Sequence, residues 1–225
     1  MEQFDRFRLV AASATPTVPS TVEAHADLLE LRLDGCENPA GAVEAVTSGL
    51  PLIVTNRPRW EGGAYDGDEG DRLGLLEDAV DHEQVVAIDV ELAALETAPG
   101  AALAERARDA GVWVIASVHD FEATPPRSVC ERLLLAASDH GDVGKLAVTA
   151  QTPTDAARLL SVTATVTGWD RPVATMAMGP VGAHTRAVAP TYGSVLGYAP
   201  ADPDAPTAPG QLPLATLATV VSQLR

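Results

Sequence analysis

Short apolar runs return eight times along this chain, separated by stretches with turn residues and helical spacing. The runs fall at residues 7–11, 28–33, 51–56, 85–92, 112–118, 143–149, 173–178 and 191–198. Most lack strict alternation, which is the pattern of parallel strands covered on both faces. Between them, residues 39–48, 71–82, 101–110, 125–137, 152–163 and 212–224 read as helices. Gly111 stands at a stop position, and Thr152, Pro153 and Asp155 stand at a capped start. Eight strands alternating with helices in 225 residues predict an α/β fold, a (β/α)8 barrel forming one domain over 1–225. On pattern alone an open doubly wound sheet fits as well. Two places strain the barrel reading: the first crossover, around 21–28, is short, and 179–190 leaves room for only a brief helix. The Pro-rich stretch 200–210 reads as a loop.

Charge narrows the partners. Asp and Glu total 31 against 15 Lys and Arg, a formal net charge of −16, and such a field repels nucleic acid and anionic membrane surfaces. An acidic surface of this kind suits high salt, where screening relieves its self-repulsion, so a salt-loving host is expected. No run approaches the length of a membrane span and no secretory leader is evident, so the protein is expected to be soluble and cytoplasmic. The two cysteines, Cys36 and Cys130, have no metal-like spacing.

The same arithmetic isolates one residue. Fourteen of the fifteen basic residues are Arg, and the only lysine is Lys145, inside the apolar run Val143 to Val148. A buried ammonium is costly, and burial pushes an amine toward its nucleophilic free form. A lone interior lysine in a barrel is the expected form of a Schiff-base catalyst acting on a ketone or aldehyde. A lysine at a solvated strand edge is the plainer alternative.

In a parallel α/β protein the ligand sits beyond the C-terminal ends of the strands. Glu30, Arg32 and Asp34 stand there two apart, either contacting a polar substrate or forming an ion-pair network. Arg57 follows the third run, then Glu61-Gly62-Gly63 suggests a loop bending closely around something. Asp89 and Glu91 are placed for a charge network under a pocket. His119, at the tip of the fifth run, is placed for proton transfer, whereas His25, His82 and His140 read as ordinary polar residues. Arg186 can hold a carboxylate by two points, with Thr207 and Gln211 completing the clamp. No spacing calls for a metal or a nucleotide cofactor, so none is expected.

Taken in order, these stretches resemble type I 3-dehydroquinate dehydratase, the Schiff-base enzyme of the shikimate pathway. The likeness is carried by Glu30-Leu31-Arg32-Leu33-Asp34, Arg57 with Glu61-Gly62-Gly63, Asp89-Val90-Glu91, His119-Asp120-Phe121 and Lys145. It continues through Met176-Ala177-Met178-Gly179 to Arg186, Gly193-Ser194 and Ala208-Pro209-Gly210-Gln211. The resemblance implies a (β/α)8 lyase that removes water from 3-dehydroquinate by syn elimination, giving 3-dehydroshikimate. It implies that Lys145 forms the imine, that His119 moves the proton out and back, and that Glu61 supports His119. Arg186, Gln211 and Thr207 would take the substrate carboxylate, and Glu30, Arg32 and Arg57 the ring hydroxyls. It implies no metal and no cofactor, and it allows a homodimer.

Thr207 and Thr185 stand where that family usually has Ser, and Val118 replaces a more polar or aromatic residue. The first strand and helix are shorter than usual. Two other readings stay open at this level. One is an aldolase-like Schiff-base barrel, which wants a phosphate site near the last strands. The other is a non-enzymatic barrel that binds sugar acids, which has no use for an amine in an apolar strand.

Overall fold

Apolar residues at every second strand position must face an interior, and this chain supplies two. The computed structural model describes Phe4 and residues 6–224; positions 1–3, 5 and 225 of the domain read over 1–225 lie outside the described residues. Strands β1 (Arg8–Ser13), β2 (Leu28–Arg32), β3 (Leu52–Thr55), β4 (Val85–Glu91), β5 (Trp113–Asp120), β6 (Val143–Thr149), β7 (Val173–Met178) and β8 (Leu196–Pro200) form one parallel sheet. Its order is β7-β6-β5-β4-β3-β2-β1-β8. The β7–β8 seam completes the barrel without a regular ladder. The Val195 N–H donates to the Val173 carbonyl at 2.8 Å, and Ser194 Oγ accepts from the Thr175 N–H at 3.1 Å. Nearer the mouth, the Thr185 hydroxyl accepts from the Ala177 N–H at 2.9 Å, satisfying a strand donor that the seam leaves over. The threonine at 185 therefore keeps the hydroxyl that this position needs. The barrel, not the open sheet, is the fold.

The helices are α1 (Glu69–Val80), α2 (Leu92–Leu95), α3 (Ala98–Asp109), α4 (Arg127–His140), α5 (Pro153–Thr167), α6 (Gly179–Gly182), α7 (Thr185–Val188) and α8 (Leu214–Leu224). Asp68 caps α1, and Thr152 with Asp155 forms a reciprocal capping box on α5. Among the described residues no helix is long and apolar enough to cross a membrane.

Two sequence expectations need correction. The helix expected over 39–48 is only a 3-10 turn, Pro39–Gly41, followed by turns that press Ala42 and Val43 into the core. Gly41 interrupts it early, and Val43, Val46 and Thr47 are β-branched, so helix nucleation has little to gain there. The first crossover, expected to be short, is a 3-10 turn, Ser20–Ala24. The eighth strand starts at Leu196, not at 191, because Ala189–Tyr192 is a 3-10 turn closed by Gly193 at φ 100°.

Inside the barrel, Val10, Leu28, Ile53, Ala87, Ile115, Val143, Ala174 and Leu196 form one apolar layer, plugged by Phe4 edge-on to Trp113. A second, larger apolar interior lies between the strands and the helices. Side chains two apart share a strand face. One step further along, the inner face therefore carries Glu30, Thr55, Asp89, Ser117, Lys145, Met176 and Tyr198. The barrel is dry at the bottom and ionic at the top.

Candidate active site

A cleft of about 520 Å³ opens at the C-terminal ends of the strands. It is lined by Glu30, Arg32, Arg57, Glu61, His119, Lys145, Arg186, Thr207 and Gln211, so every site residue expected from the sequence meets at one mouth. Lys145 is 5% exposed. Its Nζ donates to Asp89 Oδ2 at 2.7 Å and lies 3.9 Å from Glu30 Oε1. Glu30 in turn accepts from the Thr55 hydroxyl at 2.9 Å. The solvated-edge alternative for the lysine is thereby set aside.

Under the floor runs a ladder of buried charges. Arg57 reaches Asp89 and Glu91 at 2.5 Å each and the Ser117 hydroxyl at 2.7 Å. Arg72, fully buried on α1, takes the other oxygen of Glu91 at 2.8 Å and ends the ladder on Glu69. Burial opposes the charge on Arg57, but Asp89, Glu91 and Glu61 outweigh it and hold the guanidinium firmly protonated. Burial would also raise Asp89, yet Arg57 and Lys145 keep it well below the usual carboxylate range. Arg57 lines the cleft while its guanidinium is committed to carboxylates below. Arg32 forms a two-point pair with Asp34 at 2.9 and 2.7 Å. Asp34 leaves the strand parity expected for it: it lies in a 3-10 turn, Leu33–Gly35, and also accepts from the Arg57 and Ala64 N–H groups.

Glu61 stands in a 3-10 turn, Arg59–Glu61, after β3. Its Oε1 accepts from the backbone N–H of His119 at 3.0 Å and sits 3.9 Å from the His119 Nδ1. The carboxylate thus fixes the strand position of His119 and lies just beyond hydrogen-bond reach of its ring. Burial pushes Glu61 up to about 7, against the pull of Arg57 and the His119 N–H. His119 is held well below the usual imidazole value, first by burial and then by Arg57 and Lys145, so its ring is a neutral base near pH 7. Phe121 stacks beside it, with ring centroids 6.0 Å apart. Gly62, at φ 78°, passes under Phe121 where a Cβ would come within 2.1 Å of the ring. The double-glycine loop therefore bends around an aromatic side chain of the site itself.

The opposite wall is built otherwise. Arg186 is 2% exposed, and its Nε and Nη1 have no hydrogen-bond partner among the described residues. Only Nη2 is engaged, at 3.2 Å from the Pro209 carbonyl. Burial alone lowers its pKa to about 10, still far above neutrality. Gln211 Oε1 accepts from the Thr207 and Ala208 N–H groups at 2.9 and 3.1 Å, and its Nε2 donates to the Thr207 hydroxyl at 3.2 Å. Gln211 so folds the loop that covers Arg186.

Comparison with known proteins gives the same answer along the whole chain. The family model described as type I 3-dehydroquinase matches residues 11–225. The chain belongs to this family. It is 48% identical over 225 residues to a 3-dehydroquinate dehydratase of Haloarcula marismortui, covering 99% of this chain and 98% of the relative. It is also 48% identical over 229 residues to one of Haloquadratum walsbyi, covering 98% and 94%. Both are halophilic archaea, in keeping with the acidic surface. Among solved structures it is similar to 3-dehydroquinate dehydratase of Geobacillus kaustophilus, at 27% identity and a TM-score of 0.85, covering 98% of this chain and 91% of that one. The Enterococcus faecalis enzyme gives 26%, a TM-score of 0.82, and coverage of 98% and 95%. Membership of this type I dehydroquinase family displaces the aldolase-like and binding-barrel readings.

Sequence reasoning underused four residues of the cleft: Tyr198, Phe121, Met176 and Met178. Tyr198 and Met176 were signalled by strand parity, two residues beyond the inner-layer Leu196 and Ala174. Arg72 had no such signal, because a helical arginine among acidic neighbours reads as solvated.

Proposed function

We propose that this chain removes water from 3-dehydroquinate to give 3-dehydroshikimate through an imine on Lys145. The observation that supports it best is the burial of the only lysine at the floor of a cleft it shares with His119. The Lys145 nitrogen gives up a proton, adds to the ring ketone and loses the carbonyl oxygen as water. The resulting iminium draws electrons from the adjacent carbon, so its C–H becomes acidic. His119, a neutral base held in place through Glu61, takes that proton and returns it to the departing hydroxyl. Water then releases the product and restores the amine. The iminium is the electron sink, and the steps balance without a metal or cofactor.

Arg186 takes the substrate carboxylate through its two unpartnered nitrogens, with Thr207 and Gln211 holding the covering loop. Glu30 and Arg32 face the ring hydroxyls, and Arg57 acts there chiefly through the carboxylates it organises. We place the enzyme in the cytoplasm, where the free thiols of Cys36 and Cys130 are at home. A homodimer, as the family resemblance allows, is part of this reading.

The test is borohydride reduction in the presence of substrate. One ligand mass should appear on Lys145 and activity should be lost irreversibly. Lys145→Ala should abolish both label and turnover, whereas His119→Ala should lose turnover and still form the adduct. EDTA should change neither. Turnover in the lysine variant, or reduction without added mass at Lys145, overturns the proposal.

A further inference from the structure

Of the two aromatic side chains that line the cleft beside His119, Phe121 stacks on that histidine and Tyr198 lies against Lys145, and dehydration gives Tyr198 no step of its own. Tyr198, on β8, is 4% exposed and faces inward two residues beyond Leu196 of the apolar layer. The Lys145 nitrogen lies over the face of its ring, 4.3 Å from the centroid. Its hydroxyl is buried with no hydrogen-bond partner among the described residues. Burial, then Glu30 and Asp89, hold the phenol well above its usual pKa, so it stays neutral. Among the described residues the hydroxyl makes no bond that would fix the ring here. The ring face lies against the nitrogen instead.

An ammonium offers three N–H donors. In this site Asp89 accepts one at 2.7 Å and Glu30 lies within 3.9 Å. When ammonium and ketone condense, a C–N bond forms, the carbonyl oxygen leaves as water with two of the three protons, and one N–H remains on a cationic nitrogen. The carboxylates can then share a single donor between them. A ring face needs no N–H, since its quadrupole attracts the charge itself. Unlike the hydrogen bond to Asp89, this contact does not depend on the N–H groups that condensation removes, so it can hold the nitrogen in place as those bonds are lost.

We propose that Tyr198 is a positioning residue for imine formation, its ring face holding the Lys145 nitrogen in both its cationic states, the ammonium before attack and the iminium after it. This rests on Lys145 being the imine-forming amine. Only the aromatic face is required, so the hydroxyl is dispensable.

The experiment measures how fast substrate produces the borohydride-trapped adduct on Lys145. Tyr198→Phe should stay within about twofold of the unsubstituted enzyme, while Tyr198→Leu should fall about tenfold, the scale of a desolvated cation–ring contact. Because Leu can disturb packing, a second series keeps the shape: phenylalanine, difluorophenylalanine and trifluorophenylalanine at position 198. Adduct formation should drop stepwise as fluorine drains the ring face, with the melting temperature unchanged. Equal rates across the fluorinated series, or a loss in Tyr198→Phe as large as in Tyr198→Leu, overturns the proposal. Absence of any adduct in the unsubstituted enzyme would instead remove the reading of Lys145, a result distinct from either.

Discussion

Arg57 and Arg186 lie about equally deep in one cleft, 3% and 2% exposed, on opposite walls of the barrel mouth. Arg57 is surrounded by Asp89, Glu91, Glu61 and the Ser117 hydroxyl, and these partners hold its charge firmly. Among the described residues Arg186 has a single hydrogen-bond partner, a backbone carbonyl, and burial alone lowers its pKa to about 10. The difference separates two uses of a buried cation. A guanidinium with its carboxylates in place is part of the fold and sets the field in which Lys145 and His119 work. A guanidinium left half-bonded has donors to spare for an anion, the role proposed above for the substrate carboxylate.

The strongest way to break this comparison is to remove each arginine in turn. Arg57→Met leaves Asp89 and Glu91 buried without their counter-charge, and stability should fall by about 3–5 kcal/mol. Urea unfolding of Arg57→Met and Arg186→Ala side by side reads this directly. The second variant should lose little or nothing, and equal losses would erase the distinction. In kinetics the order reverses for binding: Arg186→Ala should fold normally yet lose about 100-fold in kcat/KM, mostly through KM, on the order of 2.7 kcal/mol. A KM unchanged by that substitution would place the carboxylate elsewhere.

A smaller effect sharpens the paired wall. Glu61 is raised from its ordinary 4.5 to about 7, so between those values the folded protein keeps a proton that the unfolded chain releases. Its contribution to stability therefore falls as pH rises through that window. Wild type should weaken by on the order of 2 kcal/mol relative to Glu61→Gln between pH 5 and 7, measured by paired denaturation curves. A constant difference would mean that Arg57 already holds Glu61 ionised. The smallest effect concerns salt. With a net charge of −16 the melting temperature should rise from dilute buffer to molar potassium chloride, by the equivalent of about 1 kcal/mol. The rise should be the same in Arg186→Ala, because surface carboxylates feel the salt and the buried wall does not.

Much of the paired wall could be read along the chain. Charged residues two apart, as in Glu30 and Arg32 or Asp89 and Glu91, stand out in strands that are otherwise apolar, and only a shared interior makes that pattern affordable. Lys145 was conspicuous because an acidic, lysine-poor surface left no solvated role for it. The unpaired wall was harder to read. Arg186 lies in a segment of short turns, 179–192, where no period fixes which way a side chain faces. The helix expected over 39–48 failed for a different, local reason: Gly41 and the β-branched Val43, Val46 and Thr47 outweigh its apolar spacing.

The sequence by itself determined the alternation of eight strand segments with intervening helices and turns, the charged groups beyond the strand ends, and the chemical types available there. Each of these is a property of spacing and side-chain chemistry, which a linear chain carries openly. Tertiary structure alone decided which charges neutralise one another. Arg72 from α1 reaches Glu91 on β4, Arg57 is drawn down to Asp89, and Tyr198 on β8 comes to lie under Lys145 on β6. Those pairings join residues from different strands and helices, and their strength depends on distance and on the exclusion of water. Neither quantity exists until the barrel has closed.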